Sequence, residues 1–268
     1  MQVVVVDNAS TDDSVRAIQS LYPHVHLIQN QVNEGYARAV NQGITWALSR
    51  SADFVLLLNN DTWVEPGMLR ELIHVSMDNP QAGVIAPKVL HYVQPQRIYS
   101  VGDRKYPWSP IPLHVAHNRL DNFKYEGILQ VDYVSGCGMM IRADVIRDVG
   151  ALDESFFMYY EDADLCRRIR DAGYMILTVG KAHLRHKAAT SARRIPVKIK
   201  RIKARNRVVF YCRHRHGPHP YLTVVYLFLT ALLTLSRDAL RGDWNLITAY
   251  LKGLSEGIDI IRHTQRTK

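Results

Sequence analysis

Short apolar runs alternate with amphipathic segments over the first ninety residues. Val3 to Val6 reads as a strand that ends at Asp7-Asn8, and Ser10 or Thr11 is placed to cap a helix reaching about residue 21, with Asp12 and Asp13 in its first turn. Residues 25–29 form the next strand. Ala37, Val40, Ile44 and Ala47 recur at spacings of three and four, which predicts a helix over 35–50. The fully apolar run Phe54-Val55-Leu56-Leu57-Leu58 reads as a buried parallel strand. Pro66 opens a helix to residue 77, and 83–90 reads as a further strand. This alternation implies an α/β fold with a mostly parallel sheet and right-handed crossovers. From 92 to 130 the pattern breaks into a loop-rich insertion with Pro95, Pro107, Pro110 and Pro112, long enough to act as a lid or substrate loop. There is no internal repeat and no low-complexity tract.

Two acidic clusters stand out against this pattern. If a helix starts near Glu161 and stops at Gly173, its apolar stripe is Leu165, Ile169 and Ala172, and Asp162 falls on that stripe. Asp164 aligns instead with Arg168 and Asp171 on a face that reads as solvated. An inward carboxylate is paired, metal-bound or catalytic, unless it only complements the helix dipole. The second cluster, Asn59-Asn60-Asp61, follows the apolar strand directly. Ligands bind at the carboxyl ends of strands in open α/β sheets, and hard oxygen donors there suit Mg²⁺ or Mn²⁺ carrying a diphosphate. The plain alternative is an Asn/Asp turn.

Composition narrows the class. In 268 residues, 47% hydrophobic and 22% charged, there is material for one large domain with an appendage. Cys137, Cys166 and Cys212 are odd in number and without metal-ligand spacing, which points to a reducing, cytoplasmic setting, and no signal peptide precedes the first strand. The net charge of +9 is concentrated: residues 193–215 hold ten Lys/Arg and no acid, so the rest of the chain is nearly neutral. Next come fifteen uncharged residues, 221–235, and a second amphipathic segment, 244–261. Fifteen helical residues reach about 22 Å, short of the roughly 30 Å hydrocarbon core. The expectation is an interfacial helix beside a polybasic run, on an anionic membrane surface at the inner face of the cell membrane, with Tyr221, Tyr226 and Trp244 at the interface. A helical hairpin packed on the main domain is the alternative. Nucleic acid is not expected as a partner, since the basic run lacks a recognisable binding motif.

Five blocks, in order, carry a family resemblance: Val3 to Asp12 (VVVVDNASTD), Asn33 to Gly43 (NEGYARAVNQG), Leu56 to Asp61 (LLLNND), Ser135 to Arg142 (SGCGMMIR) and Asp153 to Tyr174. Together they resemble family 2 glycosyltransferases, most of all the bacterial rhamnosyltransferase-type branch, over roughly residues 1 to 210. The resemblance implies a GT-A, Rossmann-like domain over 1–190 and a basic, amphipathic helical region over 191–268. It implies an inverting transferase moving a hexosyl or deoxyhexosyl group, rhamnose among them, from a nucleotide-sugar donor to a glycan or lipid-linked acceptor in cell-envelope polysaccharide synthesis.

The same resemblance assigns roles. Asp7 matches the acid that holds the donor's base, with Asn8, Asn33, Gly35, Asn60 and Gly136 on the donor side. Asp61 matches the last residue of the DxD-like metal motif, whose first position here is Asn59, leaving one carboxylate where two are usual. Asp162 matches the general base of a paired-acid motif that includes Glu161, and His186 matches a histidine near the metal and diphosphate; a lone His in a basic loop is otherwise a surface residue. Gly136 and Gly138 let backbone approach a ligand, or else mark a bulge or turn. Family members usually begin one strand and one helix earlier, so the resemblance also implies an N-terminally truncated sheet. That leaves, as the rival expectation, a catalytically inactive fragment with only a binding or membrane-association role.

Overall fold

This computed structural model describes residues 1–104, 113–187, 195–214 and 220–266. The alternating pattern is realised as β1 (Val4–Asp7), α1 (Ser14–Leu21), β2 (His26–Gln29), α2 (Tyr36–Leu48), β3 (Phe54–Leu58), β4 (Thr62–Val64), α3 (Met68–Asp78) and β5 (Ala82–His91). Helix α1 starts later than Ser10 or Thr11 would place it. The Asp12 carboxylate accepts the Ser14 backbone N–H at 3.0 Å, which turns the chain just before the helix.

The insertion is built rather than loose. It contributes β6 (Ile98–Ser100), β7 (Asp103–Arg104), β8 (Leu113–His114), a 3-10 turn at Phe123–Tyr125 and β9 (Ile128–Val131). Pro107, Pro110 and Pro112 lie outside the described residues. Strand β6 pairs with β5, and the fully buried Lys88 of β5 meets Asp121 at 2.8 Å, tying the insertion to the sheet. The chain continues through β10 (Gly138–Arg142), α4 (Ala143–Val149), a 3-10 turn at Glu154–Phe156, α5 (Glu161–Asp171), β11 (Met175–His186), α6 (Pro196–Arg213), α7 (Pro220–Leu240) and α8 (Trp244–Arg266).

The main sheet has seven strands along the path β3-β10-β5-β11-β4, with β6 added on β5 and β9 on β11. A mostly parallel sheet was the expectation, and here the structure differs. Only β5 and β11 pair in parallel; β10 runs antiparallel between β3 and β5, and β4, β6 and β9 are antiparallel to their neighbours. The reason is topological: the chain returns from the insertion into the slot between two strands that run the other way. Strands β1 and β2 form a separate parallel pair, so β1 and β3 are not hydrogen-bonded to each other.

Period-two alternation divides the side chains between two cores. Val55, Leu57, Val84, Ala86, Met139 and Ile141 face α2, α4 and α5, whereas Ile85, Val89 and Met140 face α3. Strand β5 is buried on both faces, which is why its sequence is nearly continuous in apolar residues.

The C-terminal helices extend this body. Gly253 and Gly257 let α8 lie directly on the α6 backbone: a Cβ at Gly253 would sit 2.2 Å from the Arg201 carbonyl oxygen. Helix α7 is longer than the fifteen uncharged residues suggest, because Asp238 is buried against Lys200 Nζ at 2.5 Å and the helix continues to Leu240. Tyr221–Leu240 is thus long and apolar enough, by length and composition, to cross a membrane, and little of it is buried.

Gly253→Ala measures how tightly α8 is seated. Alanine gains about 1 kcal/mol of helix propensity over glycine. Against this, overpacking against fixed backbone costs about 1–3 kcal/mol. The expected outcome is a lower midpoint in urea unfolding; a higher midpoint would show that α6 and α8 can separate at no cost.

Candidate active site

The donor-side residues gather where β1 ends. Asp7 is buried and its carboxylate accepts the Ser10 N–H at 3.1 Å. Asn8 is the hub: its Nδ2 donates to Asn33 Oδ1 (3.1 Å) and to the Gly35 carbonyl (3.0 Å), while its Oδ1 accepts from the Glu34 N–H and from Asn30 Nδ2. Gly35, at φ 90°, then turns the chain into α2, and a Cβ there would stand 2.5 Å from the Phe157 ring.

Tyr36, the first residue of α2, links this cluster to the second one. Its hydroxyl lies 3.2 Å from Asn59 Oδ1 and 3.3 Å from the Gly136 carbonyl. Gly136 in turn donates its N–H to Asp162 Oδ2 at 3.2 Å, and the Tyr133 hydroxyl donates to the same oxygen at 2.8 Å. A third donor, the Ala163 N–H, reaches Asp162 Oδ1 at 2.8 Å. Asp162 thus stands half-buried at the start of α5.

Burial pushes the Asp162 carboxyl up, and the bonds from Tyr133, Gly136 and Ala163 pull it only part of the way back. Burial and the neighbouring Asp162 charge push the Tyr133 hydroxyl up too, so it stays a donor. Glu161 is buried with Oε2 lacking a protein partner, and first its burial, then the Asp162 charge, push its carboxyl up to about 8.

Asp61 and His186 meet at 3.0 Å through Oδ1 and Nε2. His186 is the last residue of β11, paired in register with Thr62 of β4, and the ring of Tyr99 from the insertion packs edge-on at 5.1 Å. It is therefore buried, not a residue of a surface loop. Asn60 is exposed on the turn. Among the described residues no group of three or more His, Cys, Asp or Glu side chains is placed to hold a metal. Magnesium and manganese take about six ligands, chiefly oxygens. With Asp61 Oδ1 already facing His186, this donor set fits a cation completed by diphosphate oxygens and water, and does not fit an all-protein site.

Two readings of the α5 segment need correction. Asp164 is not solvated: it is 3% exposed, bonded to Arg168 and to His214 just past the end of α6, both at 2.8 Å. Burial pushes its carboxyl up, but those bonds outweigh it and hold the group below the usual range. Ala172 lies just past the helix end and is exposed, so the buried stripe is Leu165, Cys166 and Ile169. Residue spacing also gave no sign of Tyr36 and Tyr133; the first lies inside and the second just before a glycine-bearing block, the one signal that could have found them.

The profile of Glycosyl transferase family 2 matches residues 1–150. The chain belongs to this family. It is 28% identical over 217 residues to the N-acetylglucosaminyl-diphospho-decaprenol L-rhamnosyltransferase of Mycobacterium tuberculosis, covering 73% of this chain and 69% of that protein. It is 26% identical over 179 residues to the dTDP-rhamnosyl transferase RfbF of Shigella flexneri, covering 65% and 55%. Among solved structures, GalNAc-T7, crystallised with UDP, GalNAc and Mn²⁺, superposes with a TM-score of 0.55 at 15% identity over 78% of this chain and 43% of that one, a likeness of fold. The family 2 chain described here therefore spans between two fifths and seven tenths of these proteins.

The Glu161 carboxyl carries a pH signature. A carboxyl protonated in the folded chain and ionised in the unfolded one adds stability that is complete below about 4.5 and lost as the pH rises towards about 8. Glu161→Gln fixes the neutral form. Its melting temperature should fall less between pH 5 and pH 8 than that of the parent, as read by calorimetry; equal falls would mean that Glu161 is already ionised when folded.

Proposed function

We propose that the chain is an inverting glycosyltransferase that moves a hexosyl or deoxyhexosyl group, rhamnose first among them, from a nucleoside diphosphate donor to a lipid-linked or polysaccharide acceptor in envelope glycan synthesis. The observation that carries this reading is Asp162: an oriented, half-buried carboxylate, linked through Gly136 and Tyr36 to the Asn59-Asn60-Asp61 turn. In the proposed reaction Asp162 takes the proton of the acceptor hydroxyl as that oxygen attacks the anomeric carbon opposite the departing diphosphate. Its raised pKa makes it a stronger base than a solvated aspartate, and Tyr133 and Gly136 hold it in place. Asp7, Asn8, Asn33 and Gly35 cradle the nucleoside end of the donor, and Asn60 and Gly136 line its diphosphate side.

Asp61 is the residue that would hold Mg²⁺ or Mn²⁺, which when bound supplies positive charge to the leaving diphosphate. His186 acts there through its bond to Asp61. Residues 1–190 are read as the transferase domain and 191–268 as a helical region joined to it by α6. The rhamnosyl and diphospho-lipid chemistry in the names of the relatives supports the choice of donor and acceptor.

A peripheral position on the inner face of the membrane is part of the proposal. Val224, Val225, Phe228, Leu229, Leu232 and Leu233 are exposed together along one broad side of α7. Four cations of the basic stretch, by contrast, are engaged within the molecule: Lys200 with Asp238, Arg201 with Glu256, Arg205 with backbone carbonyls and Arg213 with Asp153. Apolar burial, more than headgroup charge, is therefore the proposed source of membrane affinity.

Donor turnover over a panel of UDP- and dTDP-sugars tests the reaction. Asp162→Asn should lower turnover by about 10²–10⁴-fold and leave nucleotide binding near that of the parent. Comparable turnover in the variant would sink the base assignment, and full activity of the parent in EDTA would remove the metal from the scheme.

Vesicle co-sedimentation tests the membrane reading. Phe228→Asp with Leu232→Asp should abolish binding, whereas raising the salt from 0.05 to about 0.5 M, which screens exposed charges, should change it little. Binding lost in salt and kept in the double variant would reinstate headgroup charge as its source.

A further inference from the structure

We infer that α6 is a positioning element for the reaction, and that Asn206 fixes where Asp162 stands by holding the backbone of the loop that leads into α5. The inference rests on reading Asp162 as the general base. Asn206 is completely buried, and its Nδ2 donates to the carbonyls of Phe156 (2.8 Å), Met158 (2.9 Å) and Tyr159 (2.7 Å). Its Oδ1 accepts from Arg205 Nε at 2.8 Å, and Arg205 Nη2 reaches the carbonyls of Ser155 (3.1 Å) and Phe156 (2.8 Å). Every amide donor of a buried asparagine on one helix is thus directed at one loop on another part of the chain.

That loop needs holding. Phe157, Tyr159 and Tyr160 have φ of 63°, 66° and 76°, a region that side-chain-bearing residues occupy only where their surroundings impose it. Tyr160 is the cap from which α5 begins, and Glu161 and Asp162 follow at once. On the opposite side of the loop the Phe157 carbonyl accepts the Ala37 N–H of α2 at 3.1 Å, and the Phe157 ring fills the space that Gly35 leaves. The loop is therefore clasped between the helix that carries the donor-side turn and α6. The clasp continues past Asp162: His214, just beyond the end of α6, bonds Asp164 one half-turn further along α5, and Arg213 pairs with Asp153 at the loop's start. Asp162 is fixed from both flanks by one helix.

The experiment pairs an activity-independent readout with a kinetic one. Asn206→Leu keeps volume and removes the donors. Hydrogen–deuterium exchange at 157–162 should rise at least about tenfold while the amides of β10 stay protected. Turnover of the UDP- or dTDP-sugar that the parent uses should fall at least about tenfold, with nucleotide affinity within about twofold of the parent. Combined with Asp162→Asn, the loss from Asn206→Leu should shrink to a small factor, because a residue that acts through Asp162 has little left to act on. Additive losses in the double variant, an equal fall in affinity and turnover, or unchanged exchange at 157–162 would each overturn the inference. Arg205→Gln, which removes the half-buried guanidinium of the clasp and leaves the Asn206 amide in place, should move the same readouts in the same direction by a smaller factor, and it decides the matter if Asn206→Leu does not fold. A parent without turnover on any sugar of the panel refutes the transferase reading, while the exchange result still decides whether Asn206 holds the loop.

Discussion

Two adjacent acids at the head of α5 cannot both be ionised cheaply in partly dehydrated surroundings, and the arrangement of the site follows from that constraint. Asp162 receives three donors, from Tyr133, Gly136 and Ala163, whereas Glu161 Oε2 has no protein partner. The one charge the pair can hold is therefore stabilised on Asp162, with Glu161 as the neutral neighbour. The helix N-terminus favours the same outcome, since its unsatisfied N–H groups attract negative charge within the first turn. A lone acid at this place would complement the dipole; an acid with a tyrosine hydroxyl and a glycine N–H directed at it has its orientation fixed as well.

Holding that acid in place requires a loop in disfavoured geometry. Each positive-φ residue in it costs on the order of 1–3 kcal/mol. A buried hydrogen bond returns about 1 kcal/mol net. The two amide hydrogens of Asn206, shared among three carbonyls, thus offset part of the strain at Phe157, Tyr159 and Tyr160. Packing of Phe156, completely buried, and of the Phe157 ring against Gly35 supplies the rest of the restraint. The Lys200 to Asp238 and Arg201 to Glu256 pairs then hold α6 against α7 and α8, so the clasp is itself supported from outside the sheet.

What the sequence made legible was the element order and the residues at strand and helix ends. Asp61 meets His186 and Gly136 meets Asp162, two pairs linked through Asn59 and Tyr36, and the apolar run before Asn59 states where that strand stops. Strand direction was not legible: periodicity records which face is buried, and β10 satisfies it equally well in either orientation. Asp164 was misplaced for a related reason. A helical wheel shows which residues share a face but not what covers that face, and here His214 arrives from fifty residues downstream. The length of α7 was underestimated because the charges at 237 and 238 read as an end, when Asp238 is neutralised by Lys200 inside the molecule.

The same principle changes what the basic segment means. Ten Lys/Arg within 193–215 look, as composition, like a surface for anionic headgroups. In the fold, Arg201, Arg205 and Arg213 are used on Glu256, on the Ser155 and Phe156 carbonyls and on Asp153, while Lys198 and Lys203 lie over the rings of Phe157 and Tyr159. Glu256 and Asp153 cancel the fields of Arg201 and Arg213 beyond a few ångströms, whereas the carbonyls and rings that hold Arg205, Lys198 and Lys203 carry no net charge and leave theirs in place. Part of the charge of this segment is internal wiring, with Arg205 and Arg213 on the 153–160 loop and Lys200 and Arg201 on α7 and α8. The surface it leaves unexplained is the apolar side of α7, whose burial is worth about 25 cal/mol per Å² whatever the salt. Helix α6 itself meets the loop ahead of Asp162 through Asn206 and Arg205, and α7 through the Lys200 to Asp238 pair.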